Sequence, residues 1–382
     1  GNNDVNKTNL SFIGNGQDSV TQKMNLKDKA VLVVSNNRVS EIPISELLGR
    51  GVKLILVCNA DSDNAFTDFK KAVNQSQSST RLSLTKPVEQ GDLESVVFIS
   101  PSAAANLTGI PYSRLRTIAT EKGQPDAIEK IEAHTITYRL QNDIEEVVAD
   151  NVLGYLEGSD KKDELVVITA HYDHIGKRAT GSGDLINNGA DDDGSGTVAV
   201  MELARVFAEA KASGNGPLRS MLFMTVTGEE IGLLGSQYYT DYPVFPLSKT
   251  VVDLNIDMIG RSDAEHKDNA DYVYVIGSDK LSSELHQISE SINSTHTKLA
   301  FDYTYNDVNH PTNLYKRSDH WNFAKHDIPI IFYFDGIHED YHKPSDEVDK
   351  IDFDILRKRT QLIFYTAWQL AYRKDRIKND KE

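Results

Sequence analysis

ELVVITAHYDHIG, residues Glu164–Gly176, is an apolar run that breaks directly into His-Tyr-Asp-His. A short apolar stretch without polar alternation fits a strand buried on both faces, as occurs in parallel sheets covered by helices on each side. His171 then stands where a buried strand emerges, the edge at which open α/β sheets place their ligands. Asp173, two residues on, is placed to hydrogen-bond the second ring nitrogen of His171 and fix its tautomer. A lone histidine at the position of His171 is more often structural, and His174 is a weaker candidate that reads more readily as one that packs or faces solvent.

Outward from this stretch the pattern repeats. LRSMLFMTVT, TVVDLNID, YVYVIG and IPIIFYF read as further strands. TVAVMELARVFAEAKA and SSELHQISESIN carry apolar residues at helical spacing, and a long amphipathic helix runs from near Asp352 to about Arg373. VVADNVLGYLEGSD reads as a strand followed by a hairpin turn. Strands alternating with helices predict an α/β three-layer sandwich around a mostly parallel mixed central sheet. Towards the N-terminus, KAVLVVS, VKLILVC and SVVFIS alternate with shorter helices and form a second, smaller α/β region without a cluster of His or acidic residues. The expected division is a polar lead-in over 1–25, the smaller domain over 26–123 and the larger one over 124–382. TITYRL falls in the last of these.

The 382 residues suffice for such a pair of domains. A formal charge of −16 argues against nucleic acid as a partner. No apolar run is long enough to span a bilayer. The single cysteine, Cys58, excludes an internal disulfide and reads as a buried strand residue. The start at Gly1, without an initiator Met, fits a trimmed or mature form.

Four more stretches carry metal-type residues. NNGADDDGSGT places three adjacent aspartates between glycines, where like charges repel unless a cation offsets them. Asp193 or Ser195 also suits the N-cap of the helix that follows. GEEIGLLGS follows LRSMLFMTVT with Glu229 and Glu230 side by side. NIDMIGR ends a strand at Asp257, and HEDYHKPSDEVDKID holds His342 in the loop after IPIIFYF. Their placement at or past strand ends lets distant residues converge on one edge. Two histidines and three carboxylates form a nitrogen–oxygen set suited to zinc, manganese or cobalt. A pair of ions sharing one carboxylate uses this inventory economically.

HYDHIG, GADDDGSG, GEEIGLLGS, NIDMIGR, RSDHWNFAKHDIP and DYHKPSDEVDKID together resemble the motif series of the aminopeptidase Y-type two-zinc metallopeptidases, metallopeptidase family 28. The likeness covers roughly Ala133–Lys374. The segment from about Leu26 to Gly123 resembles, less specifically, the protease-associated domain found in such enzymes. The resemblance implies that Asp192 bridges two Zn2+ ions, with Co2+ or Mn2+ as substitutes, across a peptide to Asp193 that is cis. It implies Glu230 and His342 at one ion, and His171 and Asp257 at the other. Glu229 becomes the general base that takes a proton from a bridging water, leaving the attacking hydroxide, with Asp173 the partner of His171 and Tyr315 the donor to the oxyanion. The implied activity is removal of N-terminal residues from peptides with a free N-terminus, outside the cytoplasm. Three alternatives share this fold. One is a glutaminyl cyclase. Another is a carboxypeptidase acting on acidic dipeptides, with Arg261 or Arg317 receiving the substrate carboxylate. The third is a receptor-like binding protein without catalysis.

Overall fold

The computed structural model describes residues 6–382 apart from 18, 36–41, 77–81, 85–95, 121–126, 129–130, 132–133, 139–144, 179–180 and 382. The chain divides into two compact units, Gly1–Glu146 and Val147–Glu382.

In the first unit, five strands form one sheet: β1 (Asn6–Phe12), β2 (Ala30–Val34), β3 (Leu54–Cys58), β4 (Val96–Phe98) and β5 (His134–Tyr138). Their order is β4-β3-β2-β1-β5, parallel except for the β1–β5 pair. Strands β2 and β3 are buried at every position, as their continuous apolar sequences require. Cys58 is buried and free. Two parts of the expected division shift. Residues 6–12 are a paired strand rather than a polar lead-in, and β5, His134–Tyr138, pairs with that strand, so the boundary between the compact units falls at 146/147. The N-terminal segment is too polar on one side to announce a strand, while TITYRL reads as a β-branched strand whose partner in the first sheet local pattern could not reveal.

The second unit holds a seven-stranded sheet of order β11-β10-β12-β9-β7-β8-β6. Its strands are β6 (Val152–Leu156), β7 (Lys161–His171), β8 (Arg219–Val226), β9 (Thr250–Ile256), β10 (Tyr272–Ile276), β11 (Ala300–Asp302) and β12 (Ile330–Phe334). Strands β12, β9, β7 and β8 run parallel, while the β8–β6 and β12–β10 pairs are antiparallel. The turn after β6 forms no hairpin with β7. β6 instead pairs with β8, whose other edge is already taken by β7.

One face of this sheet packs against Ala199, Val200, Leu203 and Phe207 of a helix over Gly194–Ala212, and against Leu362, Ile363, Ala367 and Leu370 of the terminal helix Phe353–Tyr372. The opposite face buries Leu165, Val167, Leu222 and Met224 against Tyr239 and Phe323 from helices Leu234–Asp241 and His320–Ala324. The result is a three-layer α/β architecture. Asp352 caps the terminal helix, accepting from the amides of Asp354 and Ile355. That helix carries the fully buried Arg359, which donates to the carbonyls of Ile259, Arg261 and Tyr272 and to Asp335. A buried guanidinium with this many acceptors fixes the segment that follows β9, and with it Asp257.

Candidate metal centre

His171 is the last residue of β7, and Asp257 follows the last residue of β9, two strands paired in parallel. The imidazole and carboxylate therefore meet beyond one sheet edge, with His171 Nε2 3.6 Å from Asp257 Oδ1. Asp192 reaches them from the turn before helix Gly194–Ala212, with its Oδ1 3.3 Å from His171 Nε2. Its second oxygen, Oδ2, lies 3.1 Å from His342 Nε2. That nitrogen is 3.2 Å from Glu230 Oε2. The two oxygens of Asp192 thus face two different groups of ligand-type atoms.

Ligand atoms bound about 2.0 Å from a tetrahedral zinc ion stand roughly 3.3 Å apart, the spacing that recurs in both groups. His171 Nε2, Asp192 Oδ2 and His342 Nε2 are also buried without a hydrogen-bond partner. Orphaned polar atoms of this kind are costly unless something satisfies them. The residues fit a divalent cation such as zinc.

The loops are held by hydrogen bonds that free these atoms. His171 Nδ1 donates to the Asp173 carbonyl at 3.0 Å, which leaves Nε2 with its lone pair. The carboxylate of Asp173 does something other than the sequence suggests. It lies 3.7 Å from His171 Nδ1 and accepts instead from the amides of Glu229 at 3.1 Å and Glu230 at 3.4 Å. The backbone carbonyl is closer to the ring, so the carboxylate is left to fix the turn that carries both glutamates. Asp193 accepts from the amides of His171, Gly196 and Met258, tying the ends of β7 and β9 to the helix it caps. The Asp192–Asp193 peptide is cis.

His174 is not the packing or solvent-facing residue expected. Its Nδ1 comes within 2.6 Å of Glu230 Oε1 and 3.8 Å of Asp192 Oδ2, so it joins the second group. The close approach depends on Gly189, at φ +65°. A Cβ there would lie 2.7 Å from the His174 ring and 2.4 Å from the Asp192 carbonyl oxygen. Gly189→Ala is expected to cost about 2–4 kcal/mol in denaturant unfolding, from left-handed strain plus overpacking. Replacement of His174 by Gln should weaken zinc binding by roughly 10–100-fold in a competition titration, as loss of an orienting partner does.

Charge in the cluster is finely opposed. Burial alone would depress both imidazoles, but the carboxylates around them hold His171 well above its usual value and His342 at about 9. Asp192 is buried, yet His171 and His342 keep it well below the ordinary carboxylate range. Glu229 belongs to neither group of ligand-type atoms. Burial, with Asp257, Asp319 and Glu230 nearby, pushes it well above the usual glutamate value.

Tyr315 is not brought to the cluster. Its ring packs against His320 and Trp321, and burial with the nearby Asp279 pushes its hydroxyl to about 12. The tyrosine that lies at the cluster is Tyr341. Its ring stacks on His342 at 3.8 Å between centroids, and its hydroxyl is raised by burial and by the charges of Asp192, Asp257 and Glu230. The signal was its adjacency to His342 in DYHK. Asp346, four residues beyond His342, also escaped the sequence reading. It is fully buried and accepts from the amides of Asp191 at 3.0 Å and Asp192 at 3.2 Å, joining the two loops. Arg261 is committed to Asp340 at 2.9 Å.

Residues 151–367 match peptidase family M28, a span that contains every one of these side chains. The chain belongs to peptidase family M28. It is 24% identical over 338 residues to aminopeptidase YwaD of Bacillus subtilis, covering 86% of this chain and 65% of that protein. It is 29% identical over 224 residues to leucine aminopeptidase 1 of Coccidioides posadasii, covering 56% of this chain and 54% of that protein. The chain thus spans between half and two-thirds of the length of these curated relatives. The aminopeptidase from Aneurinibacillus sp. strain AM-1 shares its fold, with a TM-score of 0.52 at 20% identity over 100% of this chain and 78% of that one. Among the described residues, no helix of this M28 chain is long and apolar enough to cross a membrane.

Proposed function

We propose that the chain is a two-zinc aminopeptidase, hydrolysing the first peptide bond of substrates with a free N-terminus. The observation that carries this reading is the Asp192 carboxylate, one oxygen 3.3 Å from His171 and the other 3.1 Å from His342, with Glu229 outside both groups. In this reading His171 and Asp257 hold one ion, Glu230 and His342 the other, and Asp192 both.

Ions bound there supply Lewis-acid polarisation of the scissile carbonyl and acidify the attacking water. Glu229 takes the proton of that water and returns it to the leaving amine. Its raised proton affinity and its absence from the ligand groups both suit a group that exchanges protons. Asp173 holds the Glu229 amide, so the base keeps its distance from the reacting atoms. Tyr341 donates its hydroxyl to the carbonyl oxygen as negative charge develops. Tyr341→Phe should lower kcat by roughly 10²–10³-fold, the loss typical of one such donor, while Tyr315→Phe stays within about threefold of the parent.

Ile231, Ile337 and Tyr172, exposed on the loops that carry the cluster, favour an apolar first side chain. The second reading, a carboxypeptidase for acidic dipeptides, is left with Arg317, an exposed cation near Tyr341. Comparison of leucyl-nitroanilide, its N-acetylated form and a peptide ending in glutamate tests both. Turnover of the free-amine substrate alone is expected, and preferential release of C-terminal glutamate would replace this reading with the second.

A further inference from the structure

β9 carries Asp253, Asn255 and, just beyond its end, Asp257 at alternate positions, a polar stripe in a strand that is buried throughout. Alternate residues of a strand share a face, so the three side chains stand in a row beside β7. Thr169 of β7 is the register partner of Asn255. None of Thr169, Asp253 and Asn255 is exposed, and the proposed reaction does not use Asp253.

The row is continuous. Ser318 Oγ lies 2.6 Å from Asp257 Oδ2, the oxygen turned away from His171. Asn255 Nδ2 lies 2.9 Å from Ser318 Oγ. Thr169 Oγ1 lies 2.8 Å from Asn255 Oδ1 and 2.9 Å from Asp253 Oδ1.

Counting protons gives this row a direction. An ionised Asp257 only accepts, so the Ser318 hydroxyl donates to it and its oxygen accepts from Asn255. That requirement turns the Asn255 amide so that its NH2 faces Ser318 and its carbonyl oxygen faces Thr169. Thr169 has one hydroxyl proton and two oxygen neighbours. If it went to Asp253, the hydroxyl and carbonyl oxygens of Thr169 and Asn255 would face each other at 2.8 Å with no proton between them. The proton therefore goes to Asn255, and Asp253 must supply one of its own to Thr169. Asp253 Oδ2 points the same way: it is buried without a partner, tolerable for the carbonyl oxygen of a neutral acid and costly for an anion.

We propose that Asp253 is carried as a neutral carboxylic acid, a positioning residue whose proton directs the chain Asp253–Thr169–Asn255–Ser318–Asp257 and so orients the Asp257 carboxylate toward its ion. Burial and the neighbouring Asp319 push the Asp253 carboxyl well above the usual range. Tyr239 also senses Asp253. The chain spans the ends of β7 and β9, so it also fixes the separation of His171 from Asp257.

Infrared difference spectroscopy on the full zinc-loaded chain, wild type minus Asp253→Asn at neutral pH, tests the proton directly. The expected result is a protonated-carboxyl carbonyl band present in the wild type and absent from the variant, which keeps a donor and so retains zinc. Loss of carboxylate bands instead, or failure of this isosteric variant to fold or to hold zinc, overturns the proposal. Thr169→Val should weaken the first zinc by roughly tenfold or more and lower kcat with little change in KM, and Thr169→Ser should restore both. Wild-type zinc affinity and kcat in Thr169→Val overturn the directional role. If Thr169→Val does not fold, the infrared result decides. The orienting role rests on Asp257 as a ligand. Unchanged zinc affinity in Asp257→Asn would sink that reading, whereas zinc loss in Asp257→Asn without loss in Thr169→Val sinks only the chain.

Discussion

Glu229→Gln keeps its full complement of zinc and loses turnover by roughly 10²–10⁴-fold, the range that a positioned general base contributes. The amide is nearly isosteric, and its backbone N–H still binds Asp173, so the turn stays in place. Glu229 lies outside both groups of ligand-type atoms, so zinc content by elemental analysis should match the parent. What the variant lacks is a site to accept the proton of the attacking water. Near-normal kcat would remove Glu229 from that role, and loss of zinc would make it a ligand instead.

Asp192→Asn gives the opposite split. Its carboxylate faces His171 with one oxygen and His342 with the other, so the change touches both groups at once. An amide offers one oxygen and, on the other side, an NH2 that cannot accept. Zinc content after dialysis should fall from two toward one or none, with affinity lost beyond the roughly 10–100-fold that removal of an outer partner costs. Activity falls with zinc rather than apart from it. A variant holding two ions with parental affinity would mean that Asp192 does not bridge.

Much of this arrangement can be read from the sequence because the strands are buried on both faces. ELVVITA and TVVDLNID have to be interior strands, and the residues that end them have to meet at one sheet edge. The pair Glu229–Glu230 is ambiguous by itself, and only the resemblance of the surrounding motifs implies separate roles for its two members. Other features depend on contacts between loops distant in sequence. His174 reaches Glu230 only because Gly189 lets the backbone approach, a tertiary fact without periodic signature. The choice between Tyr315 and Tyr341 turns on which ring stacks against His342, and a loop rich in tyrosines obscures it. Asp346 binds amides 154 and 155 residues away, and nothing local distinguishes it from a solvated aspartate. The strand Asn6–Phe12 needed its partners β2 and β5 to become a strand at all.

The most direct test of the two-zinc aminopeptidase is a zinc titration of chelator-stripped protein, followed by hydrolysis of leucyl-nitroanilide. No turnover without zinc, and full turnover once about two equivalents per chain are bound, is the predicted result. Turnover that survives metal removal, or a chain saturated with zinc that leaves the free-amine substrate intact, would contradict it.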